Sequence, residues 1–268
     1  MHSSTLAAFC VMSVTAALAM PTLAADRLTD KDVKTLIERV NNDRDRFEDQ
    51  LDGSLKRTII RGPGGEVNVE RYLDDLQDNV GKLKDRFKPE YAASAEVTTV
   101  LRQASDIHRF MATQPPNFDG ASEWNRLAAS LNELAAVYGT SMPLPEGQQA
   151  RRMNDREVQK AADDLAKTAD RFKKDLDSAL KADKTVDKVA RESAVAEAES
   201  LKQDAKALAS LVGDGRPSSG EAKALFDRAA RIRAASASRT LSPAAKTAWT
   251  SIESGLDTVA QAFGLTAR

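Results

Sequence analysis

The stretch WNRLAASLNELAAVYG at 124–139 is written a second time as WTSIESGLDTVAQAFG at 249–264. The offset, 249 − 124 = 125, brings residues 28–139 onto 153–264 without a gap. A chain that repeats itself at one spacing repeats its pattern of buried positions, so both copies must solve the same packing problem.

That pattern is helical. Val33, Ile37, Val40, Phe47, Leu51 and Leu55 are matched by Val158, Ala162, Leu165, Phe172, Leu176 and Leu180. Steps of three and four residues put such side chains on one face of a helix. A second stripe runs Val69, Leu73, Leu76, Val80, Leu83, Phe87, against Ala194, Ala198, Leu201, Ala205, Leu208, Val212. A third carries Val97, Leu101, Ala104, Ile107 and Met111, against Ala222, Phe226, Ala229, Ile232 and Ser236. The fourth is the opening stretch, with Trp124, Leu127, Leu131, Leu134 and Tyr138 matched by Trp249, Ile252, Leu256, Val259 and Phe263.

Punctuation agrees with four helices per copy. Thr29 and Asn154 are N-cap residues, Asn154 with Glu157 three places on, and Leu28 and Met153 sit where a hydrophobic staple to Val33 and Val158 belongs. Ser242-Pro243 is a cap followed by proline at the first helical position. Gly139 and Gly264 stand just past a helix end. The breakers are Gly62-Pro63-Gly64-Gly65, read as a turn, then Lys88-Pro89, Pro115-Pro116 and Gly213–Pro217. Short connections make successive helices antiparallel neighbours. The expected fold class is therefore all-α, two tandem up-down-up-down four-helix bundles related by the 125-residue offset. The expected boundaries are a signal peptide at 1–25, a first bundle at 26–139, a linker at 140–152 stiffened by Pro143 and Pro145, and a second bundle at 153–268.

The leader is read from an uncharged, mainly apolar run over 6–19, ended by Pro21, with small residues near Ala24 and Ala25 as the cleavage site. The segment before this run departs from the usual pattern in having His2 but no Lys or Arg. Cleavage there removes Cys10, the only cysteine, and leaves a chain without disulfide or thiolate chemistry. The expected location is the periplasm or the extracellular medium. No transmembrane helix is expected in the mature chain. Lys and Arg (39) nearly cancel Asp and Glu (40), so the basic footprint of a nucleic-acid partner is missing.

Candidate chemistry is sparse. His108, the one histidine left after leader removal, stands at the rim of the third stripe, where the second copy has Arg233. A metal or haem ligand needs partners, and the chain has no Glu-x-x-His pair, Cys-x-x-Cys-His or second histidine for it. Asp45 and Asp49 are one helical turn apart and positioned to share a cation, but Arg44 and Arg46 interleave with them and a straight helix is a poor calcium cage. Arg44 falls on the apolar stripe where the second copy has Ala169, so it must snorkel or find a buried partner. Arg46, beside Phe47, is placed to brace the first helix against the acidic residues Asp78 and Asp85 of the second. Trp124 and Trp249 are read as core anchors rather than gates of a ligand cleft. The glycines at 62–65 fit no phosphate-binding fingerprint.

The unit ending W-x-x-L/I-x-x-x-L-x-x-L/V-A-x-x-Y/F-G resembles uncharacterised secreted bacterial proteins built from one or two copies of a helical unit. The resemblance covers both copies and implies a fold without an activity. The functional expectation is an exported, non-enzymatic helical-bundle protein that binds or scaffolds in the cell envelope, with no cofactor and with a protein or envelope component as partner. The alternative is a small-ligand or metal carrier using a bundle interior, with His108, Arg44, Asp45 and Asp49 as its polar contacts.

Overall fold

The computed structural model describes residues 26–62, 65–237 and 241–265. The leader and the Pro63-Gly64 centre of the expected turn lie outside them. The structure is mostly helical, 73% helix with 4% strand, and has nine helices among the described residues.

Helix α1 (Asp30–Gln50) starts at Thr29, whose hydroxyl accepts from the Asp32 amide while the Asp32 carboxylate accepts from that of Thr29. Helix α6 (Asp155–Ala182) starts with the same reciprocal box between Asn154 and Glu157. These caps satisfy amides that a helix start leaves without partners. The ends of the two helices differ. At α1 the chain turns extended at Leu51, and the Asp52 carboxylate accepts from the Ser54 and Leu55 amides to cap a new short helix, α2 (Gly53–Lys56). The second copy has Ser178 and Ala179 where the first has Gly53 and Ser54, and α6 runs on for 28 residues. Replacing glycine with better helix formers removes the break. The first stripe, expected to continue in one helix to Leu55, is thus divided.

The segment read as a turn is a β-hairpin. Strand β1 (Ile59–Gly62) pairs antiparallel with β2 (Gly65–Asn68), Ile60 opposite Val67 and Arg61 opposite Glu66. Ile59, Ile60 and Val67 are β-branched and suit a pleated ribbon. Alternation buries Ile60 and leaves Ile59 56% exposed. Asn68 then caps α3 (Val69–Arg86). Helices α4 (Ser94–Met111) and α5 (Ala121–Val137) follow. After α6 come α7 (Lys188–Gly213), α8 (Ser219–Ala237) and α9 (Pro243–Phe263), the last capped by Ser242 and closed by Gly264 in the left-handed region.

Helix α1 packs on α3 and α5, α3 on α4, and α4 on α5; α6 packs on α7 and α9, α7 on α8, and α8 on α9. The buried apolar side chains fall into two clusters, one drawn from Val33 to Ala150 and one from Val158 to Phe263. The predicted stripes supply most of both. Four stripe positions are only partly buried, Leu55, Ala194, Phe226 and Ser236; beside Phe226, α8 buries Leu225 instead, as α4 buries Val100.

Residues 140–152 are tied down along α4. The Leu144 amide donates to Ser105 Oγ (2.7 Å), that of Ala150 to Thr98 Oγ1 (3.0 Å) and that of Arg152 to Ser94 Oγ (3.3 Å). Met142 and Ala150 join the first core. No helix among the described residues is long and apolar enough to cross a membrane.

Candidate functional site

The residues singled out in the sequence do not converge. His108 lies on α4 with its ring 5.9 Å from that of Trp124, and its buried Nδ1 has no hydrogen-bond partner. Trp124 packs on Phe47 at 5.4 Å, and Trp249 packs on Phe172 at 5.3 Å with nearly the same tilt, as core anchors would. Asp49 is exposed. Among the described residues, no group of three or more His, Cys, Asp or Glu side chains is arranged to hold a metal.

Arg44 does find partners. Its side chain is 2% exposed, and its guanidinium reaches along α1 to Asp45 and Glu48. The second copy solves the same local problem differently. Asp170, equivalent to Asp45, is held by Lys202 of α7 at 3.0 Å and Lys174 at 2.7 Å, while Ala169 takes the core position. Position 202 corresponds to Gln77 (202 − 125), so the first copy lacks that lysine and supplies its cation from within the stripe. The brace expected from Arg46 is absent: Arg46 is exposed, and Lys173 and Lys202 perform that bridging between α6 and α7.

Two expectations follow. The carboxylates left behind keep much of their exposure, Asp45 45% and Glu48 24%, so removing the guanidinium strands no buried charge, and Arg44→Met should leave stability within about 1 kcal/mol of the parent or raise it. Urea denaturation measures this, and a loss several times larger would show that the arginine does more than fill the stripe. In the second copy, hydrogen bonds from Lys174 and Lys202 hold the Asp170 carboxyl well below its ordinary value, and one from Lys173 takes Glu199 down to about 2. Carboxyls depressed in the folded state stabilise it above their unfolded values, and that stabilisation fades as pH falls through the folded ones. Lys202→Gln should therefore lower Tm at pH 7, and the gap to the parent should narrow as the pH falls below about 4, where unfolded Asp170 takes up its proton, and go on closing below about pH 2 as the folded carboxyl does the same. A gap that stays constant over that window would contradict the assignment.

A constellation of buried charge that joins both copies was not foreseen. It lies where the N-termini of α1 and α6 meet. The Asp30 amide donates to Asp155 Oδ2 at 2.8 Å, and the Asp155 amide donates to Asp30 Oδ2 at 2.9 Å. Each carboxylate thus caps the other's helix, satisfying an orphan amide at the positive end of its dipole. Arg27 donates to Asp155 Oδ1 (2.5 Å) and to the Met153 carbonyl (2.8 Å). Arg152 donates to Asp30 Oδ1 and to the Leu28 carbonyl (2.8 Å). The Arg27 amide donates to Ser219 Oγ at 3.1 Å, as that of Arg152 does to Ser94.

These contacts form pairs: 152 − 27, 153 − 28, 155 − 30 and 219 − 94 all equal 125. Both arginines are nearly enclosed, 9% and 4% exposed, with the aspartates at 16% and 15%. Burial, and then the neighbouring Arg152, hold the Arg27 guanidinium below its ordinary value. Two guanidinium groups and two helix N-termini face two carboxylates, so each aspartate is essential to the balance. The signal was present in the sequence, since Arg27, Asp30 and Ser94 recur unchanged in type as Arg152, Asp155 and Ser219. A reading for core positions passes over polar identities, and nothing local says that they face each other.

Beside this junction lies a cavity of about 400 Å³. Its lining is paired in the same way: Leu28 with Met153, Val137 with Ala262, Gly139 with Gly264, and the two arginines. Phe263 forms part of the wall, with the Arg27 guanidinium 5.8 Å from its ring centre. The cavity has the largely apolar walls and few placed polar groups of a small-molecule pocket. His108, Arg44, Asp45 and Asp49 do not line it. No protein-family model, curated protein or solved structure matches the chain.

Proposed function

We propose that this chain is an exported, non-enzymatic protein composed of two tandem four-helix bundles of duplicated sequence, 26–139 and 153–268, joined by 140–152. Its role is binding or scaffolding in the cell envelope, with a protein or envelope component as partner. The observation that carries this reading is the paired junction. Enclosed salt bridges and mutual helix caps hold the two units in one orientation, so their outer faces form a single fixed surface. The small residues near Ala24 and Ala25 support export by a cleaved leader.

The test is native mass spectrometry of the protein isolated from its own envelope fraction or medium, with turnover assays on the same material. A bare chain beginning near Asp26, inactive on hydrolase and transferase panels, is the expected result. Turnover abolished by one polar substitution would overturn the non-enzymatic reading, and a retained leader would overturn export.

A second reading, a small-ligand carrier, is favoured by the cavity at the junction rather than by a bundle interior. A bound small mass that disappears on Val137→Trp, which fills the cavity wall, would establish it. A mass that survives Val137→Trp but disappears on His108→Ala or Asp45→Ala would move the site back to the first bundle.

A further inference from the structure

From the junction geometry we infer that the docking face is self-complementary, so that each half carries a surface made to bind a second copy of itself. An isologous interface uses the same patch on both partners, residue i meeting j and j meeting i. The junction meets that description within one chain. Arg27 binds Asp155 while Arg152 binds Asp30. The Asp30 and Asp155 amides exchange carboxylates, and the Arg27 and Arg152 amides meet Ser219 and Ser94.

The consequence lies in residue identity. If the second half were replaced by another copy of the first, Arg27 would meet Asp30 of that copy, and its amide would meet Ser94. The remaining acceptors are main-chain carbonyls, indifferent to the exchange of Leu28 for Met153. No like charges come closer than they do already, because both halves present arginine and aspartate at the same places. A heterologous joint between two domains has no reason to pass this test. In the intact chain the two faces occupy each other, so the face is closed and the chain is monomeric through it. A half released from its mate exposes a buried-type Arg and Asp set that is satisfied only by an equivalent half.

The experiment uses the full chain with a protease recognition sequence inserted after Glu146, in the exposed stretch 145–149. Each fragment retains its own apolar cluster apart from Ala150, which leaves with the second. The cut protein is diluted, reconcentrated and weighed by native mass spectrometry, with far-ultraviolet circular dichroism reporting helix content. The expected result is unlike pairs together with like pairs of each half, in amounts within about tenfold of each other, since a tenfold ratio corresponds to about 1.4 kcal/mol. The same cut on Asp30→Ala/Asp155→Ala should leave helix content unchanged and give single fragments. Unlike pairs alone would overturn self-complementarity, and helical fragments of the parent sequence that separate completely would overturn docking through this face. Unlike pairs alone would leave the junction, and the fixed surface of the proposed function, in place, whereas separated helical fragments would remove both.

Discussion

Trp124→Ala is expected to lower the free energy of unfolding by about 3–5 kcal/mol, the range for removing a large aromatic from a core that cannot collapse around the gap. The indole is packed on Phe47 at 5.4 Å and beside the His108 ring at 5.9 Å, in a cluster that also takes in fully buried Leu127 and Leu131. These neighbours lie on three different helices, so no one of them can move into the space without dragging backbone with it. Trp249→Ala should fall in the same range, since the Phe172 contact is repeated at 5.3 Å. Trp249 also donates to Glu253 at 2.9 Å, a bond that Trp124 cannot copy because position 128 is alanine. Urea denaturation monitored by circular dichroism measures both. A loss below about 1 kcal/mol, well under the usual cost of an aromatic truncation, would mean that the indoles stand at a cleft instead of inside a core.

Asp155→Ala should cost about 2–4 kcal/mol, somewhat under the usual 3–5 for removing one partner of a buried ion pair because the carboxylate keeps 16% of its exposure. The substitution deprives Arg27 of its carboxylate, uncaps the Asp30 amide at 2.8 Å, and takes away the second, 3.7 Å neighbour of Arg152. What remains is two guanidinium groups and two helix N-termini with one carboxylate among them. Asp30→Ala should cost a similar amount, because its contacts are the same set at the other end of the junction. The two losses should not add: once one carboxylate is gone the junction is already open, and residues of one network couple strongly. A double-mutant cycle in urea gives the coupling directly. Additive losses would mean that the two aspartates stabilise only their own helices.

Much of the fold was legible in the spacing of a few residue types. The N-cap at Thr29, the capping pair Asn154 and Glu157, the Ser242 cap, and the stripes through Phe47, Leu83, Leu131 and their partners were read correctly, because each depends on residues within a turn or two of one another. The failures share a cause. The expected continuation of the first helix to Leu55 ignored Asp52, whose carboxylate competes for the Ser54 and Leu55 amides and starts α2 instead. The glycines at 62–65 announced a turn, and the β-branched Ile59, Ile60 and Val67 around them were not weighed as strands. Arg44 was recognised as anomalous, but its partners were decided by the missing lysine at Gln77, a residue of another helix. Residues 140–152 were read as a linker stiffened by its prolines, and spacing along the chain gave no sign that Ser94, Thr98 and Ser105 of α4 draw that backbone down onto the first core.

The 125-residue spacing of the pattern, the helical period and the caps belong to the sequence alone, because backbone hydrogen bonding and the burial of one stripe act over short separations along the chain. The meeting of Arg27 with Asp155 and of Arg152 with Asp30 was decided only in three dimensions. Those residues are more than a hundred positions apart, and each is by itself an ordinary charged residue near a helix start. Their pairing arises when two similar units pack about a common axis, which brings equivalent positions face to face and makes one set of side chains answer the other.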